Sequence, residues 1–298
     1  ENEYYNKVIP VKLNRKISMI RMLRSFFTKK PFKLEFDNTL QMRKAIEKEL
    51  KEHQYDIIYS HFYKMASYLK SFPQYKRVVD LCDANVISYS RIEEQITNPV
   101  SRFFIALEKN FVYKYEKSCI VDYDKIFFIS EVDKQAMMWE GIKKEPVVIP
   151  NGVDTEFYYN ENLSNYDINK IVYVGTMSSL GNHDAVMYFL KSIYPKIQKE
   201  VPNIKFTIIG ANPRQELLDY VKNNTSVTVT GRVDDVRKYL KSAACAVAPM
   251  RGVAGLQNKI LETMSMGIPT VTTSNGAEGI ADNEKCLFIE DDEQNFAN

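Results

Sequence analysis

The stretch CAVAPMRGVAGLQNKILETMSMGIPTVTT (245–273) reads as one strand–loop–helix–strand unit. CAVAPM is a short apolar strand. RGVAG is a loop. A helix is expected from near Leu256, with Ile260, Leu261 and Met264 on its buried face and Gly267 as its stop. Pro269 then opens the strand IPTVTT. Two strands joined through a helix pair in parallel, so this stretch predicts a doubly wound α/β sheet.

The same alternation runs through the second half. KIVYVGT (170–176), KFTIIGA (205–211), SVTVTGR (226–232) and CLFIE (286–290) read as further strands. DAVMYFLKSIYPKIQKE, RQELLDYVKNN and VRKYLKSAA read as the helices between them. Gly175, Gly210 and Gly231 close three of the strands, where the backbone must turn tightly. The first half is sparser: strands YDIIYS (55–60), RVVDLC (77–82) and KIFFIS (125–130), with long helices around 38–53 and 99–119. EPVVIPNGVDTEFYY (145–159) reads as the join. Two Rossmann-like domains are expected, residues 1–150 and 151–298, facing a shared crevice. The first has few strands and the last helix starts at the chain end, so truncation at both ends is expected.

The chain has 298 residues, 45% apolar and 26% charged, as a soluble globular protein has. It holds no apolar run of about 18 residues, so no spanning helix is expected, and no signal-peptide pattern. The four cysteines, Cys82, Cys119, Cys245 and Cys286, form no CxxC pair and are expected to be buried thiols in a reducing cytoplasm. The net charge of +2 conceals an asymmetry. Residues 1–150 hold 26 Lys and Arg against 20 Asp and Glu; residues 151–298 hold 14 against 18. Between Tyr4 and Leu34 stand nine basic residues and no acidic one. Within that segment Ile17, Ile20, Leu23 and Phe27 recur at helical spacing among Arg15, Lys16, Arg21 and Arg24. An amphipathic basic helix of this kind lies on an anionic membrane surface, or packs its apolar side on its own domain. No base-reading motif accompanies it, and nucleic acid is not expected as a partner.

A helix N-terminus offers unpaired N–H groups and partial positive charge, and so takes phosphate. Gly255, lacking Cβ, lets a diphosphate approach the amides of Leu256 and Gln257, with Arg251 and Lys259 adding positive charge. Glu262, three residues after Lys259, is placed to accept hydrogen bonds from vicinal ribose hydroxyls. The alternative is a surface i, i+3 ion pair between the two. In the first half, Asp80, Asp83 and His61 stand at strand ends, where ligands usually bind. His53 and His183 read as surface residues. Asp122-Tyr-Asp124 precedes a strand, at the wrong end for ligands, and reads as a solvated turn; EDDE (290–293) reads as a helix start. No metal site and no cofactor are expected.

LETMSMGIPTVTT, IPNGVDTEFY (149–158), FISEVDKQ (128–135), IVYVGTMSSLGNHDAVMYFL (171–190), FTIIGANP (206–213) and VTVTGRVDDVRKYLKSAACAVAPM (227–250) together resemble the retaining family 4 glycosyltransferases of GT-B fold. Within these, GxxNKxLE resembles a bacterial branch linked to exopolysaccharide and capsule assembly. The resemblance implies sugar transfer from a nucleotide-diphosphate sugar to a glycan or lipid-linked acceptor, with retention of configuration and without a metal. It makes Glu262 the second glutamate of the family's pair, and gives the base to the backbone after Gly231, at Arg232 and Val233. It places donor contacts at Gly175 and Thr176, and sugar or acceptor contacts at Asp83, where many relatives carry histidine, and at His61. The departures are Ala254 at the first glutamate, and Thr176 and Asn182 where relatives hold the diphosphate with Arg and Lys. Two other functions stay open. One is a nucleotide-sugar epimerase of the same fold, which needs more than the three histidines present. The other is a module that binds a nucleotide without turnover, to which Ala254 and Thr176 point.

Overall fold

The computed structural model describes residues 5–252 and 255–298. The chain divides into two compact units, Glu1–Ile149 and Pro150–Asn298.

Unit 1 carries the helices α1 (Arg15–Met22), α2 (Ser25–Thr28), α3 (Phe32–Asp37) and α4 (Leu40–Glu52) ahead of its sheet. The strands are β1 (Ile57–His61), β2 (Lys76–Cys82), β3 (Lys125–Phe128) and β4 (Val147–Val148), parallel and in that spatial order. Helices α5 (Tyr63–Leu69), α6 (Asn85–Gln95), α7 (Pro99–Asp122) and α8 (Glu131–Ala136) connect them. Val79, Leu81, Ile126 and Phe128 on the strands meet Leu34, Ala66, Val112 and Ile120 on the helices in one core. Each of these valine, leucine, isoleucine and phenylalanine side chains, fully buried, contributes about 1.5–3 kcal/mol. Asp122 pairs with Lys70, and Asp124 accepts the Arg77 amide at 2.8 Å, so both carboxylates of the DYD turn are held by protein groups.

The basic segment breaks into two short helices. α1 is capped by Asn14, whose side chain accepts from the Ile17 amide, and it ends at Met22 before α2 begins. Its inward residue is Ser18, fully buried. Arg21 also turns inward, donating to the Asn38 carbonyl. Ile17, Met19, Ile20, Leu23, Phe26 and Phe27 stay exposed, Phe27 at 88%. The apolar side therefore faces solvent rather than the core, beside the exposed Phe103 and Phe104 at the start of α7. Lys33 stays exposed, with its Nζ 5.4 Å from the centre of the Tyr89 ring.

Unit 2 has six parallel strands: β5 (Asp167–Val174), β6 (Lys205–Ile209), β7 (Val227–Val229), β8 (Ala243–Ala248), β9 (Thr270–Thr272) and β10 (Phe288–Ile289). Their spatial order is β7-β6-β5-β8-β9-β10. That is the doubly wound order in which the first and fourth strands lie side by side, leaving a switch point at their C-terminal ends. Val172, Tyr173, Phe206, Ile208 and Val247 bury both faces of the central strands. The helices are α9 (Leu180–Tyr188), α10 (Tyr194–Glu200), α11 (Gln215–Val221), α12 (Arg237–Leu240), α13 (Asn258–Ser265), α14 (Ser274–Ala277), α15 (Asn283–Cys286) and α16 (Glu293–Ala297). One continuous helix was expected over 184–200. Instead a π turn over Phe189–Ile193 separates α9 from α10. Pro195 has no N–H for an i−4 carbonyl, and the helix widens ahead of it. Phe189 packs there on Phe206 at 4.7 Å and on Phe296 of α16 at 6.2 Å. Asp292 of the EDDE run caps α16 through the Gln294 and Asn295 amides. Cys82 and Cys119 are buried and Cys245 half-buried, but Cys286 is exposed: the strand expected from 286 starts at Phe288, and Cys286 ends α15 instead.

Candidate functional site

In unit 2 the switch point lies between the ends of β5 and β8. Two glycines fix the backbone there. A Cβ on Gly210 would stand 1.8 Å from the Gly175 carbonyl oxygen, so the chain leaving β6 can pass this close to the end of β5 only with glycine at 210, while a Cβ on Gly175 would press on the Asn182 side chain at 2.9 Å. The loop after β8 runs from Met250 through Gly255, whose φ is +80°. It enters α13 at Asn258, two residues later than the sequence predicts. Gln257 is the N-cap and makes no side-chain capping bond, so the first-turn amides lack that usual partner.

Lys259 leans from the first turn of α13 into the switch point. Its Nζ donates to Asn182 Oδ1 at 2.9 Å and Gln257 Oε1 at 3.0 Å. It lies 3.7 Å from Met250 Sδ and 5.4 Å from the centre of the Tyr173 ring. Tyr173 is fully buried and gives its hydroxyl to the same Asn182 oxygen at 2.9 Å. Asn182 Nδ2 donates to the Thr176 carbonyl at 3.1 Å. Burial holds the ammonium down to about 8, against the opposing charge of Glu262. Neutral partners thus surround a cation, and an anionic ligand would relieve its desolvation.

Glu262 is half-buried one turn on, near Tyr158. Burial pushes its carboxyl up, against Tyr158 and Lys259; burial and Glu262 push the Tyr158 hydroxyl up to about 12. Among the described ion pairs Lys259 and Glu262 do not meet. Ser265 Oγ donates to the Tyr158 carbonyl at 2.7 Å and Asn151 Nδ2 to Asn258 Oδ1 at 2.9 Å, so the IPNGVDTEFY segment is fastened along α13. Arg251 is exposed, bonded through two nitrogens to Asp184 at 2.6 and 3.1 Å and stacked 4.2 Å over Tyr188, so its charge is already paired. Leu256 is buried, Thr176 and Arg232 are exposed, and Val233 packs on the core beside Leu240. Asp235 pairs with Arg237 rather than with Arg232. His183, expected at the surface, is buried in α9 with Nε2 3.1 Å from Glu216 Oε2. Ala254 lies outside the described residues.

In unit 1 the C-terminal ends of β1 and β2 bring His61 and Asp83 to the same edge of the sheet. His61 is paired with Asp80 in the strand register, and its Nδ1 is 3.2 Å from Asp80 Oδ2. Asp83 is half-buried in the loop before α6, whose N-cap is Ala84. Burial pushes Asp83 up to about 7, with Asp133 and Asp80 adding repulsion. Glu116, fully buried behind it, is pushed up to about 8 by burial, against bonds from Asn85. This edge is therefore poised to hold protons near neutral pH.

Two family models match. Glycosyltransferase Family 4 covers residues 14–157, and Glycosyl transferases group 1 covers 168–298. Each half of the chain thus matches a glycosyltransferase family model, and the fold is GT-B. A Klebsiella pneumoniae protein, described as an uncharacterized 44.6 kDa protein in the cps region, is 30% identical over 200 residues, 62% of this chain and 48% of its own length. An uncharacterized glycosyltransferase of Methanocaldococcus jannaschii is 26% identical over 179 residues, 58% of this chain and 46% of its own. The chain spans about half the length of these curated relatives. HepE of Anabaena, solved in complex with UDP and glucose, superposes with a TM-score of 0.61 at 15% identity, over 86% of this chain and 70% of its own.

Within the half matched by Glycosyl transferases group 1, the structure brings Gly175, Gly255, Gln257 and Lys259 to one switch point and sets Glu262 one turn away. Tyr173, Met250 and Tyr158 complete this arrangement and were not singled out in the sequence. Tyr173 carried a signal: a buried strand tyrosine needs a partner for its hydroxyl. Tyr158 carried none, because it meets Glu262 only through the tertiary fold.

Proposed function

We propose that this glycosyltransferase moves a sugar from a nucleotide-diphosphate sugar to a glycan or lipid-linked acceptor, with retention, in cell-surface polysaccharide assembly at the cytoplasmic face of an anionic membrane. The observation that carries the proposal is the Lys259 ammonium, held among neutral groups at the switch point beside an uncapped helix start. A donor diphosphate there meets the α13 amides and Lys259, and Glu262 takes the ribose hydroxyls. Charge developing on the leaving diphosphate is stabilised by groups already in place, and donor turnover calls for no metal cofactor. The loop at Arg232 and Val233 receives the base. Arg251 joins the phosphates only by leaving Asp184. UDP and glucose in the Anabaena neighbour, and the cps-region setting of the Klebsiella relative, support the donor class and the pathway.

In unit 1, Asp83 and His61 are the proposed sugar or acceptor contacts. Membrane docking rests on the outward apolar residues of 17–27 among Arg15, Lys16 and Arg24. Among the described residues no helix is long and apolar enough to cross a membrane. The test is incubation with a panel of radiolabelled UDP-, GDP-, ADP- and CMP-sugars. Hydrolysis of, or transfer from, one nucleotide class supports the reading. An isomerised sugar points to an epimerase, and binding without turnover to a module that only holds the nucleotide.

A further inference from the structure

A lysine ammonium offers three N–H groups, and Lys259 finds good acceptors for two. Asn182 Oδ1 takes one at 2.9 Å and Gln257 Oε1 another at 3.0 Å. Met250 Sδ lies 3.7 Å away, and a thioether sulfur is a weak acceptor. Gln257 is a neighbour in sequence. Asn182 reaches Lys259 from α9, 77 positions away, across the ends of β5 and β8.

Asn182 is itself held on three sides. Tyr173, fully buried in β5, gives its hydroxyl to Oδ1 at 2.9 Å. Nδ2 donates to the Thr176 carbonyl at 3.1 Å. The Gly175 backbone lies against the amide, so close that a Cβ there would stand 2.9 Å from Asn182 Cγ. An ammonium can only donate, so the oxygen of the amide must face Lys259, and the Thr176 carbonyl fixes the same orientation from the nitrogen side. Both acceptor positions of Oδ1 are then filled, one by Tyr173 and one by Lys259.

The charges around Lys259 leave its own unspent. Glu262, on the same helix, is the carboxylate that favours its protonation, and the two form no ion pair among the described residues. Asp184 of α9 is bonded to Arg251 from the loop after β8. Tyr173 of β5 stays a neutral phenol, because burial pushes its hydroxyl up. An amide oxygen holds the ammonium by a partial charge alone. A carboxylate in its place would form a full ion pair and compete with a diphosphate for the same cation.

We infer that Asn182 is the positioning residue for Lys259. Its fixed amide oxygen draws the ammonium across the switch point without neutralising it, and leaves the Met250 sulfur as the partner that a phosphate oxygen replaces. This rests on the reading that a donor diphosphate binds beside Lys259, and Asn182 acts on that ligand only through the lysine.

The test changes Asn182 in two opposite ways, Asn182→Asp and Asn182→Ala. UDP and uridine are titrated calorimetrically into the whole chain from about pH 7 to about pH 9.5, with the guanine and adenine pairs run alongside. The diphosphate-to-nucleoside affinity ratio cancels any titration of the base. In the wild type the ratio should fall through the Lys259 titration near 8. Asn182→Asp adds a charge beside the ammonium, so the midpoint should move to higher pH while the ratio below it drops at least ~10-fold. Asn182→Ala removes an acceptor, so the midpoint should move to lower pH and the ratio at about pH 8.5 should drop ~10-fold. Both variants lose the bond to the Thr176 carbonyl, so a structural role alone would move them alike. Nucleoside affinity, which needs the folded unit but not Lys259, should be kept in both. A midpoint that stands still in both variants, or moves the same way in both, would overturn the positioning role while the wild-type ratio still places a diphosphate beside Lys259. A wild type that binds diphosphate and nucleoside alike at every pH would overturn that reading and the positioning role with it.

Discussion

Lys259 Nζ and Asn182 Oδ1 stand 2.9 Å apart, joining the first turn of α13 to the start of α9 across the two strand ends where the unit 2 sheet reverses its order. The same oxygen accepts from Tyr173 at 2.9 Å. Where the resembled enzymes present Arg and Lys on the loop after the first strand, this chain presents an amide there and the cation from the opposite side. The ammonium at the switch point thus comes from α13 and not from the loop after β5.

Glu262→Gln keeps the size but loses the charge. Nucleotide binding should weaken by about 1–3 kcal/mol, the range for a charge-assisted hydrogen bond, with the melting temperature close to wild type. Calorimetric titration of the cognate nucleotide reads this directly, and an unchanged affinity would remove the ribose role.

Lys259 titrates near 8 because burial disfavours its ammonium. An unfolded lysine keeps its proton to about 10.4, so between these values the unfolded chain holds more protons and folding stability rises with pH. Diphosphate binding has the opposite sign, since it needs the ammonium. Binding at pH about 8.5 should therefore take up protons, and affinity should fall as pH rises through that region. Calorimetry in buffers of different ionisation enthalpy counts the protons; no uptake at about pH 8.5 would count against a phosphate beside Lys259.

The edges that matter were legible to different depths. The strand–helix alternation from Lys170 to Thr273 gave the doubly wound unit, because buried parallel strands read as unbroken apolar runs whatever their neighbours. Gly255, Lys259 and Glu262 were legible because they are neighbours in sequence, the glycine just before α13 and the lysine and glutamate one helical turn apart. Asn182 and Tyr173 were not, since their meeting with Lys259 depends on the crossover that sets β5 beside β8. His183 read as a surface residue because its partner, Glu216, lies 33 positions away on α11. The inward turn of Ser18 and Arg21 was equally hidden: periodicity finds a helix face but not which way it points.

Asp83 is pushed up to about 7 in the fold, while an unfolded aspartate titrates near 3.9. Between these values the folded state holds the extra proton, so its contribution to stability is full below about pH 4 and is lost as pH rises through 7. Asp83→Asn should be more stable than wild type by on the order of 2 kcal/mol at about pH 8 and equal to it at about pH 4, allowing for partial exposure. Urea unfolding at the two pH values measures the difference, and a gain of the same size at both would show that the aspartate is not strained by its charge.

The outward apolar residues of 17–27 predict sedimentation with anionic but not zwitterionic vesicles, lost at high salt and on changing Arg15, Lys16 and Arg24 to Ser. Each basic residue contributes about 1 kcal/mol near the surface. Arg21, turned to Asn38, should matter least of the four basic residues around this face. Equal sedimentation with both vesicle types, or none with either, contradicts membrane docking.

The central claim is that unit 2 binds a nucleoside diphosphate against Lys259. Its most direct measurement is calorimetric titration of UDP and of uridine, and of the other nucleotide pairs in turn, into wild type and Lys259→Ala. The account predicts that one base class binds, that its diphosphate binds wild type more tightly than the nucleoside, and that most of this preference is lost in the variant while nucleoside affinity is kept. An undiminished diphosphate-to-nucleoside ratio in Lys259→Ala would contradict it.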